Sequence, residues 1–142
     1  MKTFKTCIFW LLSLTWGIIM TTVGLFAAAG MLVAGHKPTR FGHAIYFETK
    51  KAGWGGVNFG PIFIVSCGSS LHTRSHEYGH GFQNIIFGPG HVIISICSFV
   101  RYWLREFQLK KGVKLKPYDS VWFEGQATKW GTKAYENYTK TN

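Results

Sequence analysis

The chain begins with a long apolar segment, and the rest alternates polar and apolar stretches. No charged residue occurs from Cys7 to Gly35, which exceeds the roughly 20 residues that a transmembrane helix needs. We therefore predict a transmembrane anchor over residues 1–35. A cleaved signal peptide is the alternative, because two lysines precede the segment and the alanines at 27–29 resemble a cleavage site. The apolar core of a signal peptide is about 7–15 residues long, so the length favours the anchor.

Residues 36–142 are predicted to form one domain that is mainly α-helical with a minor β component. The mixed polar segment 36–56, with Pro38 and several glycines, is predicted to be a loop or a short irregular element. Within 57–66, the β-branched and aromatic residues after Pro61 predict a strand, and the proline favours a strand start or a sheet edge. We expect Ile62 to Val65 to form an exposed edge that could pair with an extended peptide.

Three helices are predicted after this strand. The first covers 71–87, with Gly68-Ser69-Ser70 as turn and N-cap and Gly88-Pro89-Gly90 at its end. The second covers 92–104, and its apolar length is marginal for crossing a bilayer. The third covers 121–138. The pattern therefore predicts a compact helical domain with a short strand edge before its first helix.

The composition gives the chain a strong positive net charge. The chain has 16 Lys and Arg against 6 Asp and Glu, and many of the basic residues lie between Arg101 and Lys116, next to an apolar segment. Such clusters commonly contact anionic lipid head groups, so membrane lipids are the expected partner. No nucleic-acid recognition motif accompanies the charge, and we expect no nucleic acid as a partner. The three cysteines are too few for a disulfide framework and have no zinc-finger spacing.

The sequence His76-Glu77-Tyr78-Gly79-His80 is an HExxH motif inside the first predicted helix. Residues four apart lie on one helix face, so both imidazoles can bind one Zn²⁺ ion. Glu77 lies beside the metal without binding it, which is the position of a general base for a zinc-bound water. The motif therefore predicts metal ligands at His76 and His80 and a catalytic residue at Glu77.

A catalytic zinc usually has a third protein ligand. The metzincin pattern requires glycine and histidine where this chain has Gln83 and Ile86, so that class is excluded. His72 lies one turn before His76, and three ligands on successive turns would extend over about 12 Å, too far for one ion. His91, just after the Gly-Pro-Gly break, is a minor candidate.

Glu124 is the favoured third ligand. The residues on its helix face, Ala127, Thr128 and Gly131, are small and would allow close approach to the helix of the motif. The alternative is a surface glutamate in the first turn of a helix, where it would complement the helix dipole. Trp122, Phe123 and Trp130 surround this carboxylate in the sequence, and an apolar setting of that kind requires a partner.

The HEYGH motif, followed by a glutamate with alanine three residues later, resembles the gluzincin zinc peptidases, especially the small and the integral-membrane ones. The span 68–131 also resembles a family of uncharacterised bacterial membrane proteins with HEYGH and WFEGQATKWG motifs. The gluzincin resemblance implies a minigluzincin-like fold, His76, His80 and Glu124 as ligands and Glu77 as general base. It also implies a Tyr or His donor to the oxyanion, for which Tyr118 and His91 are candidates.

One position departs from the gluzincin pattern. The aspartate that often follows the alanine is Thr128 here. Support for a histidine ligand from a neighbouring carboxylate would then come from Asp119 instead.

Shared metal coordination also limits the membrane topology. If residues 85–104 crossed the bilayer, Glu124 would be left about 30 Å from His80. We therefore predict that this segment is buried, re-entrant or interfacial, in a protein of the bacterial cytoplasmic membrane. The charges leave open which side carries the catalytic part.

The favoured function is a zinc metallopeptidase that hydrolyses peptide bonds. Two alternatives stay open. The first is a non-catalytic protein in which zinc stabilises the fold, with His72 or His91 as a fourth ligand. The second is a metal-free lipid-binding or interaction protein, for which we would expect exposed histidines and a distant Glu124.

Overall fold

The computed structural model describes residues 1–140, which form helices and one small sheet. The α-helices are α1 (Lys2–Thr15), α2 (Ile18–Val33), α3 (Leu71–Phe87), α4 (His91–Lys110) and α5 (Trp122–Lys140). The strands are β1 (Pro38–Phe41), β2 (Ala44–Ala52), β3 (Gly56–Phe59) and β4 (Ile62–Cys67), and short 3₁₀ turns lie at Gly88–Gly90 and Tyr118–Ser120. The prediction of a mainly helical protein with a minor β component is confirmed.

The sheet has four strands in the order β1-β2-β4-β3. Strands β1 and β2 form a hairpin in which Phe41 pairs with Ala44, so Gly42 and His43 make a two-residue turn. Gly42 has φ +61°, a conformation that glycine adopts at the first position of such turns. The prediction of a loop over residues 36–56 was therefore wrong. The Gly-His pair between two apolar residues was the local signal for this hairpin.

The predicted strand within 57–66 is two antiparallel strands, β3 and β4, joined by Gly60 and Pro61. Strand β4 lies inside the sheet, because it pairs with β2 in parallel on one side and with β3 on the other. The prediction that Ile62–Val65 is the exposed edge was therefore wrong. The edge strands are β1 and β3, and β3 is the one that packs against α3.

Helix α3 has the predicted bounds, and the Ser70 side chain accepts a hydrogen bond from the Thr73 backbone N–H at its start. Helix α4 extends six residues beyond its predicted end at Leu104 and reaches Lys110. Tyr78 of α3 is fully buried in the core between helices and sheet, and its hydroxyl accepts a hydrogen bond from the His43 backbone N–H. This contact ties the motif helix to the first hairpin.

The N-terminal helices are packed against the domain. Helices α1 and α2 meet at an angle of 102°, so they do not form one straight span. Phe9 of α1 belongs to the hydrophobic core, and Trp10 donates a hydrogen bond from Nε1 to the His43 carbonyl. The Asn84 side chain of α3 donates a hydrogen bond to the carbonyl of Gly17, at the bend between the two helices.

Two parts of the described chain have the length and composition of membrane-crossing helices. One is the segment Leu71–Lys110, and the other is the bent pair α1 and α2, if that pair counts as one span. Core helices of soluble proteins and signal sequences share these properties, so the membrane anchor stays a prediction.

Candidate metal centre

Helices α3 and α5 lie so close together that their backbones are in contact. A Cβ atom at Gly79 would collide with the carbonyl of Ala127, and one at Gly131 would collide with the carbonyl of Ser75. The predicted role of small residues in bringing α5 to the motif helix is therefore confirmed. The close approach places Glu124, near the start of α5, against the histidines of α3.

Three ligand atoms converge between these helices. Glu124 Oε2 lies 3.1 Å from His76 Nε2 and 3.2 Å from His80 Nε2, and the two Nε2 atoms are 3.2 Å apart. The exposed fractions of His76, His80 and Glu124 are 9%, 7% and 0%. These values differ from the exposed histidines and distant Glu124 that we expected for the metal-free alternative.

The three distances fit the edges of a tetrahedral metal site. Ligand bonds of about 2.0–2.1 Å at tetrahedral angles separate the ligand atoms by about 3.3–3.4 Å. A single proton bridges only one of the three pairs, whereas one cation contacts all three atoms. His76, His80 and Glu124 therefore form a group that can hold a metal ion.

The buried Glu124 carboxylate requires a polar or cationic partner. The side chain is fully buried, and its Oε2 contacts the Nε2 atoms of His76 and His80. A buried carboxylate is costly unless hydrogen bonds or a positive charge compensate it. Burial alone would raise the pKa of Glu124, but His76 and His80 outweigh burial and hold that pKa below its usual range.

The outer nitrogens of both histidines contact neutral side chains. His76 Nδ1 lies 2.9 Å from Thr128 Oγ1, and His80 Nδ1 lies 2.8 Å from Gln83 Oε1. The Gln83 amide donates to the Phe123 carbonyl and to Gln126 Oε1, which leaves its oxygen free to accept the His80 Nδ1–H. The His80 Nε2 lone pair then points toward the centre.

The predicted support from Asp119 is therefore replaced by Thr128 and Gln83. Asp119 lies in the 3₁₀ turn before α5, where its backbone carbonyl is close to Gly125. Gln83 was identifiable only as a polar residue on the histidine face of its helix. Its role depends on Phe123 and Gln126, about 40 positions later in the chain, which no local pattern reveals.

We expect Gln83→Leu to lower zinc affinity by roughly 10–100-fold, because it removes the acceptor that orients His80. A competition titration with a chromophoric chelator measures this change. Gln108→Leu, at an exposed position of α4, is the matched control and should bind zinc like the parent protein. Equal affinities for all three proteins would show that Gln83 does not orient the ligand.

Glu77, the predicted general base, is 6% exposed and packs against strand β3. A Cβ atom at Gly56 would lie 2.7 Å from Glu77 Oε1, so the carboxylate fills the space that this glycine leaves. The Asn58 side chain donates a hydrogen bond to the Glu77 backbone carbonyl. The edge strand therefore holds the predicted base beside the ligands.

Tyr118 covers the other side of the group. Its ring centroid is 6.0 Å from that of His76, and its hydroxyl donates to the Ser98 carbonyl of α4. Burial, followed by the charge of Glu124, raises the pKa of the Tyr118 hydroxyl above its usual value. The hydroxyl therefore stays protonated at neutral pH and can donate a hydrogen bond.

The two remaining histidine candidates lie in different environments. His72 is exposed at the start of α3. His91 is buried at the start of α4 with its ring centroid 6.1 Å from that of His80, and neither of its ring nitrogens has a hydrogen-bond partner in the described chain. The structure therefore places His91, and not His72, next to the ligand group.

Comparisons of the chain with models of protein families, with characterised proteins and with solved structures find no match. The resemblance to gluzincins stays a prediction based on the motif and on Glu124.

Proposed function

We propose that this protein is a membrane-associated zinc metallopeptidase. The observation that carries the proposal is the triangle of His76 Nε2, His80 Nε2 and Glu124 Oε2, with a buried glutamate next to the first histidine. Two imidazoles and one carboxylate are the ligand set of catalytic zinc in several peptidases, with a fourth position left for water.

Each residue has a role in this proposal. Zinc held by His76, His80 and Glu124 would lower the pKa of a bound water to about 7 and polarise the scissile carbonyl. Glu77 takes the proton of the attacking water and delivers it to the leaving amine. Tyr118 or His91 donates a hydrogen bond to the oxyanion.

The substrate in this proposal is a peptide in extended conformation. Strand β3 is an edge strand that contacts α3, and its Gly56 touches the side chain of Glu77. An extended peptide that pairs with the free side of β3 would run past the proposed base. This assignment replaces the earlier expectation that Ile62–Val65 is the pairing edge.

The experiment that tests the proposal separates metal binding from catalysis. We expect Glu77→Gln to keep about one zinc per chain and to lose at least roughly 10²–10⁴-fold in peptide cleavage, because only the base is removed. Gly56→Ala should also keep zinc and lose cleavage, because the new methyl group displaces the Glu77 carboxylate. Metal analysis and cleavage of a fluorogenic peptide library measure both quantities. Undiminished cleavage by Glu77→Gln would refute its assignment as the base.

A structural zinc site is the second candidate, and the burial of His91 beside His80 favours it. In that case His91 would complete a four-ligand site that binds no water. His91→Phe should then lower zinc affinity strongly, and the parent protein should retain zinc without cleaving any peptide. In the peptidase, the same variant keeps its three ligands and its zinc.

A further inference from the structure

Helix α4 covers the ligand group with one side and exposes an apolar surface on the other. The side facing the protein carries His91, Ile94 and Arg101, which are buried or half-buried. The other side repeats large apolar residues at helical spacing, and we call it the outer face of α4: Ile93, Ile96, Val100, Trp103, Leu104 and Phe107 are each 49–67% exposed. A contiguous apolar face of this kind marks an interaction surface.

Residues on the inner side of α4 hold Tyr118 in place next to the ligand group. Arg101 Nη2 donates a hydrogen bond to the Tyr118 carbonyl at 2.8 Å. The guanidinium groups of Arg101 and Arg105 lie 5.5 Å and 5.4 Å from the centroid of the Tyr118 ring. Because Tyr118 lies against His76, these contacts close the ligand group from this side. His76, Glu77, His80 and Glu124 are all buried, with 11% of the His76 side chain and 9% of the His80 side chain exposed, so movement of a covering element would widen access to the ligand group.

The charges next to the outer face identify its partner. Helix α4 ends at Lys110, and the next residues supply three more exposed lysines, at 111, 114 and 116. An apolar helix face followed by lysines is the pattern of a helix that lies in the interface of an anionic bilayer. Helix α2 packs against α4 and exposes further apolar residues, including Phe26 at 76%.

We propose that the outer face of α4 and the four lysines at 110, 111, 114 and 116 dock on an anionic lipid bilayer, and that docking moves α4 off the ligand group. This proposal rests on the proposed function, since it makes α4 the lid of that site. The outer face is exposed in both forms, but Arg101 and Arg105 contact Tyr118 in the closed form and could reach anionic head groups only after α4 separates from it. Anionic lipid would therefore bind the open form better, and such a difference in affinity shifts the population toward that form. The substrate would then be a peptide segment close to the membrane surface.

The test follows α4 with two nitroxide labels and requires neither zinc nor cleavage. The three exposed cysteines are first replaced by serine. Phe99→Cys on α4 and Lys133→Cys on α5 then carry the labels on the full-length protein, reconstituted into vesicles of phosphatidylcholine alone or with phosphatidylglycerol. Accessibility of label 99 to an aqueous relaxation agent reports docking. The distance between the labels reports opening.

We expect label 99 to be shielded from water only in the anionic vesicles, and the distance between the labels to increase there by about 10 Å, the diameter of a helix. Replacing the four lysines by glutamine should abolish both changes. Four exposed lysines elsewhere, Lys37, Lys50, Lys51 and Lys129, provide the matched control set and should be replaceable without effect.

Three results would overturn the proposal. Label 99 accessible to water in membrane-bound protein would exclude docking of α4, even if α1 and α2 bind the vesicle. Equal shielding in neutral vesicles, or in the lysine variant, would exclude the role of anionic lipid. Shielding with an unchanged distance would exclude the lid. A failure of peptide cleavage in the separate assay would instead count against the proposed function, because both label measurements are independent of it.

Discussion

Glu124→Gln should lose zinc almost completely while the chain remains folded. The amide keeps the size of the carboxylate but removes the only anionic ligand of the group. The affinity for zinc should therefore fall by more than the roughly 10–100-fold that results from replacing a residue that only supports a ligand. Zinc at 1,000 times its dissociation constant adds about 4.1 kcal/mol to stability. For a chain of this size, we therefore expect zinc to raise the melting temperature of the parent protein by about 8–16 °C.

The measurement is a pair of thermal unfolding curves, with zinc and with a chelator, for each variant. Glu136→Gln is the matched control, because Glu136 is exposed on the same helix. The parent and the control should show the zinc-dependent increase, and Glu124→Gln should not. An equal increase in all three proteins would mean that Glu124 is not a ligand.

Gly79→Ala should disrupt the contact between α3 and α5. Alanine favours an isolated helix by about 1 kcal/mol over glycine, but its methyl group would meet the backbone carbonyl of Ala127, which cannot move aside alone. We expect a net loss of about 1–3 kcal/mol of folding stability. Zinc affinity should fall as well, because the helices carry different ligands and move apart.

Gly30→Ala provides the control for this prediction. Gly30 is also inside a helix, and a Cβ atom there meets nothing within 4 Å. This substitution should leave stability unchanged or raise it by up to about 1 kcal/mol. Chemical unfolding and zinc titration of both variants measure the two effects. A Gly79→Ala protein as stable as the parent would show that the two helices tolerate a wider separation.

The structure differs from the sequence-based predictions mainly where distant segments pair. The N-cap at Ser70 and the glycines after Phe87 are local signals, and α3 begins and ends where they predict. The pairing of β2 with β4 joins segments on either side of β3, and it decided that Ile62–Val65 is internal and not an edge. Support for His80 by Gln83 likewise depends on α5.

The sequence by itself determined that His76 and His80 share one helix face, and it predicted them as metal ligands with Glu77 as the base, because this spacing needs only the geometry of one helix. It also indicated Glu124 through the small residues around it. Only the tertiary structure decided that Glu124 reaches both imidazoles, that Gln83 and Thr128 orient them, and that α4 covers the group. The contacts of His76 and His80 with Glu124 and Thr128 join residues 44 to 52 positions apart, and the residue pattern within a single element does not specify how helices pack over such separations.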